Sequence, residues 1–351
     1  MSEGKNLVGV DIGSSSIKVC ELKEGRKGQR TLVRFGYHPL PPQTIVDGHI
    51  MNSGAVVEGL EKLFHRQKLK DVALRVSGHS VIIKKITMPL MTPGELREQI
   101  QWEAEQHIPF DLAEVEMDWQ VVAKRDEQRQ MDVLLVAAKK EEVNELTNLA
   151  LEAKLKPKVI DLDAFTVQNA FEAGYGTIPT DQTIALLHVG ASLTTLNILS
   201  GGTTSFTRDI ANGGNNITEE IQRELGISSD EAEAYKCGGD GRGLVPSQVP
   251  DIVGRVVEQL AGEIQRSLDF YLATSGDGEV HKIFVSGGTA NIRALLESIQ
   301  RRARVPVEVI DPLKIAQLDP KTVDQGLLAQ RSAQAVVAAG LALRKDREKV
   351  E

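Results

Sequence analysis

Cysteine and aromatic residues are scarce in this 351-residue chain. Only Cys20 and Cys237 occur, far apart and without His clusters beside them, so neither a disulfide framework nor a zinc site is expected. No apolar run reaches the length that spans a bilayer. The start, Met1-Ser2-Glu3-Gly4-Lys5, lacks the apolar segment of a signal peptide, so a cytoplasmic protein is expected. An excess of positive charge is also missing. The formal net charge of −8 argues against nucleic acid as the main partner. The His residues are scattered, and no Walker A, HExxH or GxSxG sequence appears. Asn216-Ile217-Thr218 matches a glycosylation acceptor, which has no meaning in a cytoplasmic chain. What remains is an ordinary globular composition, with 41% apolar and 26% charged residues, long enough for two or more cores.

The most informative stretch runs from Val8 to Val19: Val-Gly-Val-Asp11-Ile-Gly13-Ser14-Ser15-Ser16-Ile-Lys18-Val. Two β-prone segments flank a tight Gly-Ser turn. Such a turn presents successive backbone N–H groups to an anion, and glycine lets the backbone come close. Asp11 falls at a strand end, where a carboxylate can hold a hydrated divalent metal. The pattern predicts a phosphate-binding hairpin for a nucleotide. An ordinary hairpin with a Ser-rich turn is the plain alternative.

The motif has an echo about half a chain later. Ile184 to Leu196 repeats strand, polar residue, x-Gly, small polar turn and strand, with His188 in the place of Asp11 and Gly190 in the place of Gly13. A repeat on that scale predicts two halves of similar fold that grip one phosphate chain from both sides.

Periodicity places the remaining elements. The first half opens with strands at Leu7–Ile12, Ile17–Leu22 and Thr31–Tyr37, followed by a helix at Gly54–Gln67 and a buried strand at Asp71–Val76. From Val81 to about Asp161 the order is strand, helix, strand, strand, helix, strand, a small α+β module. Its first helix has a capping box, Thr92-Pro93-Gly94-Glu95. Nothing in the module reads as catalytic, so a docking surface is expected. The second half has a meander from Ile184 to Ile210, a helical section from Ile217 to Lys236, a loop at Cys237–Pro250 and a long helix at Val253–Leu272. A strand at Lys282–Ser286, a helix at Asn291–Arg302, a strand at Val307–Ile310 and an Ala-rich helix from Gln330 to Leu343 complete it.

Weaker signals surround these. Ser286-Gly287-Gly288-Thr289 reads as a strand-to-helix turn, whose free N–H groups could take a phosphate or let an adenosine lie against bare backbone. Glu233 and Lys236, one helical turn apart, could bond ribose hydroxyls or form a surface ion pair of little energetic worth. Asp161 and Asp163 could face the cleft, or Asp163 could cap a helix. Ala335, Ala338, Ala339 and Gly340 permit close helix packing. The run Gly239-Asp240-Gly241-Arg242-Gly243 follows no strand and is a loop rather than a dinucleotide fingerprint.

Together the two hairpins, the Ser-Gly-Gly-Thr turn and the Ala/Gly helix resemble the actin, sugar kinase and DnaK-chaperone superfamily. The position of the inserted module resembles the cell-division protein FtsA and its relatives. Within that group the chain is most similar to the PilM family of type IV pilus assembly proteins. The similarity rests on Ile86-Thr-Met-Pro89, on Glu95 to Phe110 and on Val46-Asp47-Gly48-His49-Ile50. The resemblance implies an α/β, actin-like two-lobed fold with duplicated RNase-H-like cores and an inserted α+β subdomain in the first lobe. The implied division is 1–80, 161–182 and 326–351 for the first core, 81–160 for the insert, 183–206 and 248–325 for the second core, and 207–247 for a nucleotide-side subdomain.

The resemblance further implies ATP and Mg2+ in the cleft. Asp11, Gly13, Ser14, Ser15 and Lys18 would form the first phosphate loop, with Asp11 serving the metal. Gly190, Ala191 and Ser192 would form the second, Glu233 and Lys236 the ribose contacts, and Gly287, Gly288 and Thr289 the adenosine side. It implies recruitment to the inner membrane by the N-terminal cytoplasmic peptide of PilN, and through it the PilN/PilO complex; self-association stays open. One departure stands out. His188 occupies a position that is usually acidic in the superfamily, and a hard cation prefers oxygen. Hydrolysis needs carboxylates to orient metal and water, so weak or absent turnover and no catalytic residue are expected. An FtsA-like membrane tether should end in an amphipathic helix, whereas Leu343–Glu351 is almost wholly charged. A small-molecule kinase would need a general base, for which only Asp161 or Asp163 offers itself.

Overall fold

The computed structural model describes residues 4–25, 28–78, 80–239, 245–276 and 278–346. The end of the charged tail and most of the Gly-Asp-Gly-Arg-Gly run lie outside the described residues.

Three antiparallel strands open the chain: β1 (Val8–Ile12), β2 (Ser16–Glu24) and β3 (Arg30–Pro39). Two short strands, β4 (Ile45–Val46) and β5 (His49–Ile50), form a separate hairpin. Its turn residues Asp47 and Gly48 both have positive φ. That backbone follows the right-handed twist of the paired strands, and Asp-Gly adopts it readily. Helix α1 (Ser53–Leu63) and strand β6 (Asp71–Val76) follow. The inserted module holds β7 (Val81–Pro89), α2 (Pro93–His107), β8 (Val115–Arg125) and β9 (Gln130–Lys139). The predicted capping box is present on α2: Glu95 N–H donates to Thr92 Oγ1, and Thr92 N–H donates back to Glu95 Oε2. After α3 (Lys140–Glu152), β10 (Lys156–Leu162) and α4 (Asp163–Tyr175), the second lobe begins with β11 (Thr183–Val189), β12 (Thr194–Ser200) and β13 (Thr203–Ile210). It continues through α5 (Gly214–Leu225), α6 (Ser229–Lys236), α7 (Val249–Ser275), β14 (Lys282–Ser286), α8 (Arg293–Ala303) and β15 (Val307–Val309). The described chain closes with β16 (Gln317–Leu318), α9 (Gln325–Arg331) and α10 (Val336–Leu341).

The two large sheets run β10-β6-β1-β2-β3-β16 and β13-β12-β11-β14-β15. Each is an antiparallel meander extended by two parallel strands on the side of its first strand, and the first sheet also gains β16, parallel to β3, at its other edge. The duplication expected from the repeated motif is therefore a duplication of sheet topology. Helices α4 and α10 lie between the sheets, and one hydrophobic core joins Leu7, Cys20 and Ala73 of the first lobe to Ile184, Leu186 and Phe284 of the second. The small residues of the terminal helix are what allow this. A Cβ on Gly340 would stand 1.9 Å from the Thr166 carbonyl oxygen, and a Cβ on Gly9 would stand 2.0 Å from that of Ala338. Backbones in such contact leave no room for a side chain.

Four expectations need correction. The sheet of the inserted module has only three strands, β7-β9-β8. Strand β10 pairs with β6 in the first-lobe sheet, and Leu146, Leu149 and Ala150 of α3 share a core with Val56 and Leu60 of α1 and with Phe64 just after it. The module therefore ends near Lys139 rather than at residue 160, because the amphipathic face of α3 finds its partner in the main lobe. The proposed boundary at residue 207 cuts through β13, and Ile217, Ile221 and Ala232 share one core with the second sheet. The Ala-rich terminal helix is broken by a 3-10 turn at Ser332–Gln334, and α7 begins earlier, at Val249 with Pro250 in its first turn. Proline is tolerated there because a first-turn N–H has no helical acceptor.

Candidate functional site

The two repeat turns are built alike. Gly13 N–H donates to the Ser16 carbonyl at 3.0 Å, and Gly190 N–H donates to the Leu193 carbonyl at 2.9 Å. Asp11 lies opposite Lys18 in the first hairpin, as His188 lies opposite Thr195 in the second. Across the lobes, His188 of the second hairpin is close enough to act electrostatically on Asp11 of the first.

The floor of the first lobe is a buried charge cluster. Asp11 is 1% exposed. Its Oδ2 lies 3.0 Å from Lys18 Nζ, and its Oδ1 accepts from Arg75 Nε at 2.8 Å. The same Arg75 donates through Nη1 to Asp163 Oδ2 at 2.8 Å and to Ser77 Oγ, and through Nη2 to the Ile12 carbonyl at 3.1 Å. Burial opposes the Asp11 charge, but Lys18 and Arg75 together hold the carboxyl well below the usual carboxylate range. Asp163 goes the other way. Burial pushes it up to about 7, Arg75 opposes the rise, and Asp11 and Asp209 add to it. Its Oδ1 has no hydrogen-bond partner among the described residues. Asp161 instead pairs with Arg344 at 3.2 Å.

Arg75 was missed in the sequence. The signal was there: an arginine inside an apolar strand, Val72-Ala-Leu-Arg75-Val, must find buried acids to be tolerated. Which acids it finds depends on the strand order, since β6 lies between β1 and β10.

The second lobe is nearly free of charge at the matching point. His188 Nδ1 lies 3.0 Å from Ser286 Oγ. Burial, aided by Arg75 and Lys18 and opposed by Asp11, pushes the imidazole down to about 4, so it is neutral at pH 7. Thr195 Oγ1 donates to Asp209 Oδ1 at 2.8 Å, and Asp209 Oδ2 accepts from Gly78 N–H of the first lobe at 3.2 Å. The carbonyl of Gly190 accepts from Gly214 N–H and Thr289 Oγ1, that of Ala191 accepts from Asn215 N–H, and Ser192 Oγ accepts from Asn215 Nδ2. Lys236 folds onto the first turn of α5, donating to the Gly214 carbonyl and Thr218 Oγ1, and pairs with Glu233 at 2.5 Å. Burial opposes the Glu233 charge, but Lys236 keeps its carboxyl below the ordinary value. Gly190, Thr289, Glu233 and Lys236 thus gather around the start of α5.

Ser14 is partly buried, while Ser15 is exposed and lends its carbonyl to Leu40 N–H. Gly287 has φ 93°, and a Cβ there would stand 2.3 Å from the Val189 carbonyl oxygen. At Gly288 a Cβ would meet the Gln334 side chain at 2.6 Å. The expected helix start at this turn is a correction. A 3-10 turn spans Gly288–Asn291, and α8 begins only at Arg293, so no helix dipole points from Gly287 and Gly288.

The magnesium expectation does not fit these residues. Both Asp11 oxygens and Asp163 Oδ2 are engaged by cations, the position opposite offers the nitrogen of His188, and Asp163 Oδ1 is the single carboxylate oxygen of this group left without a partner among the described residues. A hard dication needs free oxygen ligands, and Asp11 does not provide them. Beside the cluster lies a cavity of about 290 Å³ lined by Ser77, Gly78, Asp163, Thr195, Arg208 and Asp209 from both lobes.

Two linked lobes of duplicated sheet topology, each with the same hairpin turn, define an actin-like protein. Solved structures agree on the fold. The ethanolamine utilization protein EutJ from Carboxydothermus hydrogenoformans covers 97% of this chain and 90% of its own, with TM-score 0.57 and 14% identity. MreB 5 of Spiroplasma citri bound to AMPPNP covers 97% of this chain and 96% of its own, with TM-score 0.54 and 14% identity. Cell division protein FtsA of Bacillus subtilis (strain 168) is 24% identical over 267 residues, 67% of this chain; the match spans 58% of that relative's length. The structure of a PilM-PilN type IV pilus biogenesis complex is much nearer, with TM-score 0.84, 27% identity and coverage of 98% of this chain and 99% of that one. Residues 9–346 match the family described as type IV pilus assembly protein PilM, and the chain belongs to that family. No described helix is long and apolar enough to cross a membrane.

Proposed function

We propose that this chain is a nucleotide-responsive adaptor of type IV pilus assembly, working in the cytoplasm at the inner membrane and binding the N-terminal peptide of PilN. The observation that carries the reading is the end-to-end likeness to the chain of the PilM-PilN complex, which extends through the inserted module as well as the core. Through that peptide the adaptor would join the PilN/PilO complex. Its nucleotide state would then feed into pilus biogenesis or twitching motility.

ATP is the nucleotide proposed for the cleft. The matched turns of the two hairpins support this, and Lys18 brings a positive charge beside the first. The ribose would meet Glu233 and Lys236, and the adenosine side Gly287, Gly288 and Thr289. Coupling has a plausible route in the fold. Arg75 sits just ahead of the short link into the inserted module, and Gly78 in that link is held by Asp209 of the second lobe. A ligand that changes how the lobes sit would bias this link, and the linkage must be reciprocal. Hydrolysis is proposed to be slow or absent, because the His188 nitrogen is a poor ligand for a hard dication at a place where a carboxylate oxygen would hold one.

Titrating a synthetic PilN N-terminal peptide into the purified chain, with and without ATP, tests this. Peptide binding that ATP changes several-fold is expected. Failure to bind in either condition defeats the adaptor reading, and equal affinity in both defeats the coupling alone. Magnesium-dependent ATP turnover at ordinary enzyme rates defeats the claim about hydrolysis.

A further inference from the structure

We propose that the cleft takes its nucleoside triphosphate without a divalent cation, with Arg75 and Lys18 supplying the two positive charges a metal would bring. The inference rests on the nucleotide reading above and specifies how that site works.

The geometry supports a built-in counter-ion. Arg75 projects from β6, the strand between β1 and β10, so its fork reaches the end of each neighbour. It engages Asp11 at the end of β1 and Asp163 just after β10, the two carboxylates that would bracket a metal in this cleft. Its side chain is 13% exposed, and every guanidinium nitrogen donates a hydrogen bond. Lys18 fills the remaining side of Asp11, and its Nζ lies 2.9 Å from where a Gly13 Cβ would stand, directly beneath the first turn.

A dication entering between Asp11 and Asp163 would have to displace Arg75 from both. The guanidinium would then be left in a largely buried pocket without its carboxylates, which is strongly unfavourable. A polyphosphate has the opposite effect. Lys18 and Arg75 keep their carboxylate partners and still place cationic N–H groups beside the first turn, where a polyphosphate oxygen can accept from them. Arginine suits this role because Nε and Nη1 keep both carboxylates while one N–H of Nη2 remains for a phosphate oxygen.

The test is calorimetric titration of ATP into the intact chain, in magnesium and in EDTA, for wild type and Arg75→Gln. Wild-type affinity should differ by less than about threefold between the two buffers. Arg75→Gln should bind at least about tenfold more weakly in EDTA and recover in magnesium, since the freed carboxylates can then take the metal. Should Arg75→Gln not fold, Arg75→Lys keeps the charge and should retain binding in EDTA. A wild-type affinity that drops about tenfold or more in EDTA overturns the inference and leaves the nucleotide reading standing. Unimpaired binding by Arg75→Gln in EDTA overturns it as well. No ATP binding in either buffer defeats the nucleotide reading itself, and this inference with it.

Discussion

In the first-lobe hairpin a buried carboxylate faces a lysine across the strands; in the second-lobe hairpin a neutral imidazole faces a threonine. The turns, their closing hydrogen bonds and their sheet positions are the same. The duplication has therefore preserved where backbone N–H groups stand and let the side-chain chemistry diverge. One side holds a charge network, Asp11, Lys18, Arg75 and Asp163, whose members depend on each other. The other holds a neutral His188–Ser286 contact, the acid Asp209 bonded to the Thr195 hydroxyl and the Gly78 N–H, and closely packed glycine. Breaking a buried charge pair strands a partner in a poor solvent, whereas a lost neutral hydrogen bond costs far less. The two sides should respond to mutation unequally.

The largest effect should come from Asp11→Ala. It leaves Lys18 and Arg75 short of a carboxylate, and urea unfolding should show a loss of about 3–5 kcal/mol. A loss no greater than that of the matching His188 variant would break the comparison. Next is Gly9→Ala, whose new methyl would meet the Ala338 backbone. A loss of about 3 kcal/mol is expected from such overpacking. The matching second-lobe residue is Leu186, a large side chain in the shared core, so the close helix approach belongs to the first lobe only.

Asp163→Asn sharpens the comparison through pH. The folded-state value of Asp163 is raised to about 7, so its favourable contribution is present at low pH and is lost as pH rises from the ordinary carboxylate range through about 7. The variant lacks this titration. Its stability relative to wild type should therefore grow by about 2 kcal/mol between about pH 5 and pH 7, measured by denaturant unfolding at each pH. His188 titrates in both proteins and cancels from the difference. The smallest effect should be that of His188→Gln, which can keep a hydrogen bond to Ser286. A loss of about 1 kcal/mol or less is expected at pH 7. Because the folded imidazole is depressed to about 4, wild type should lose stability relative to this variant as pH falls from about 6.5 toward 4.

Much of this was legible from the residues. The repeat of Asp11-x-Gly13 as His188-x-Gly190 gave the two-lobed plan, since a strand, a turn and a strand are local events set by β propensity and glycine. The Thr92 capping box was readable for the same reason. The errors were of another kind. Helix α3 was read into the module because sequence shows that a helix has an apolar face but not what covers it. The Gly287-Gly288 turn was read as a helix start because a 3-10 turn and a helix share a first turn in sequence. Arg75 went unnoticed because its partners lie 64 and 88 residues away.

The order of residues by itself determined the duplicated hairpins and the family, both of which rest on short-range patterns. Tertiary structure alone decided that Arg75 stands between Asp11 and Asp163, and that α4 and α10 seal the lobes together through Gly9 and Gly340. Pairing of buried charges depends on which strands become neighbours, and strand order is settled by the packing of the whole chain rather than by any segment of it.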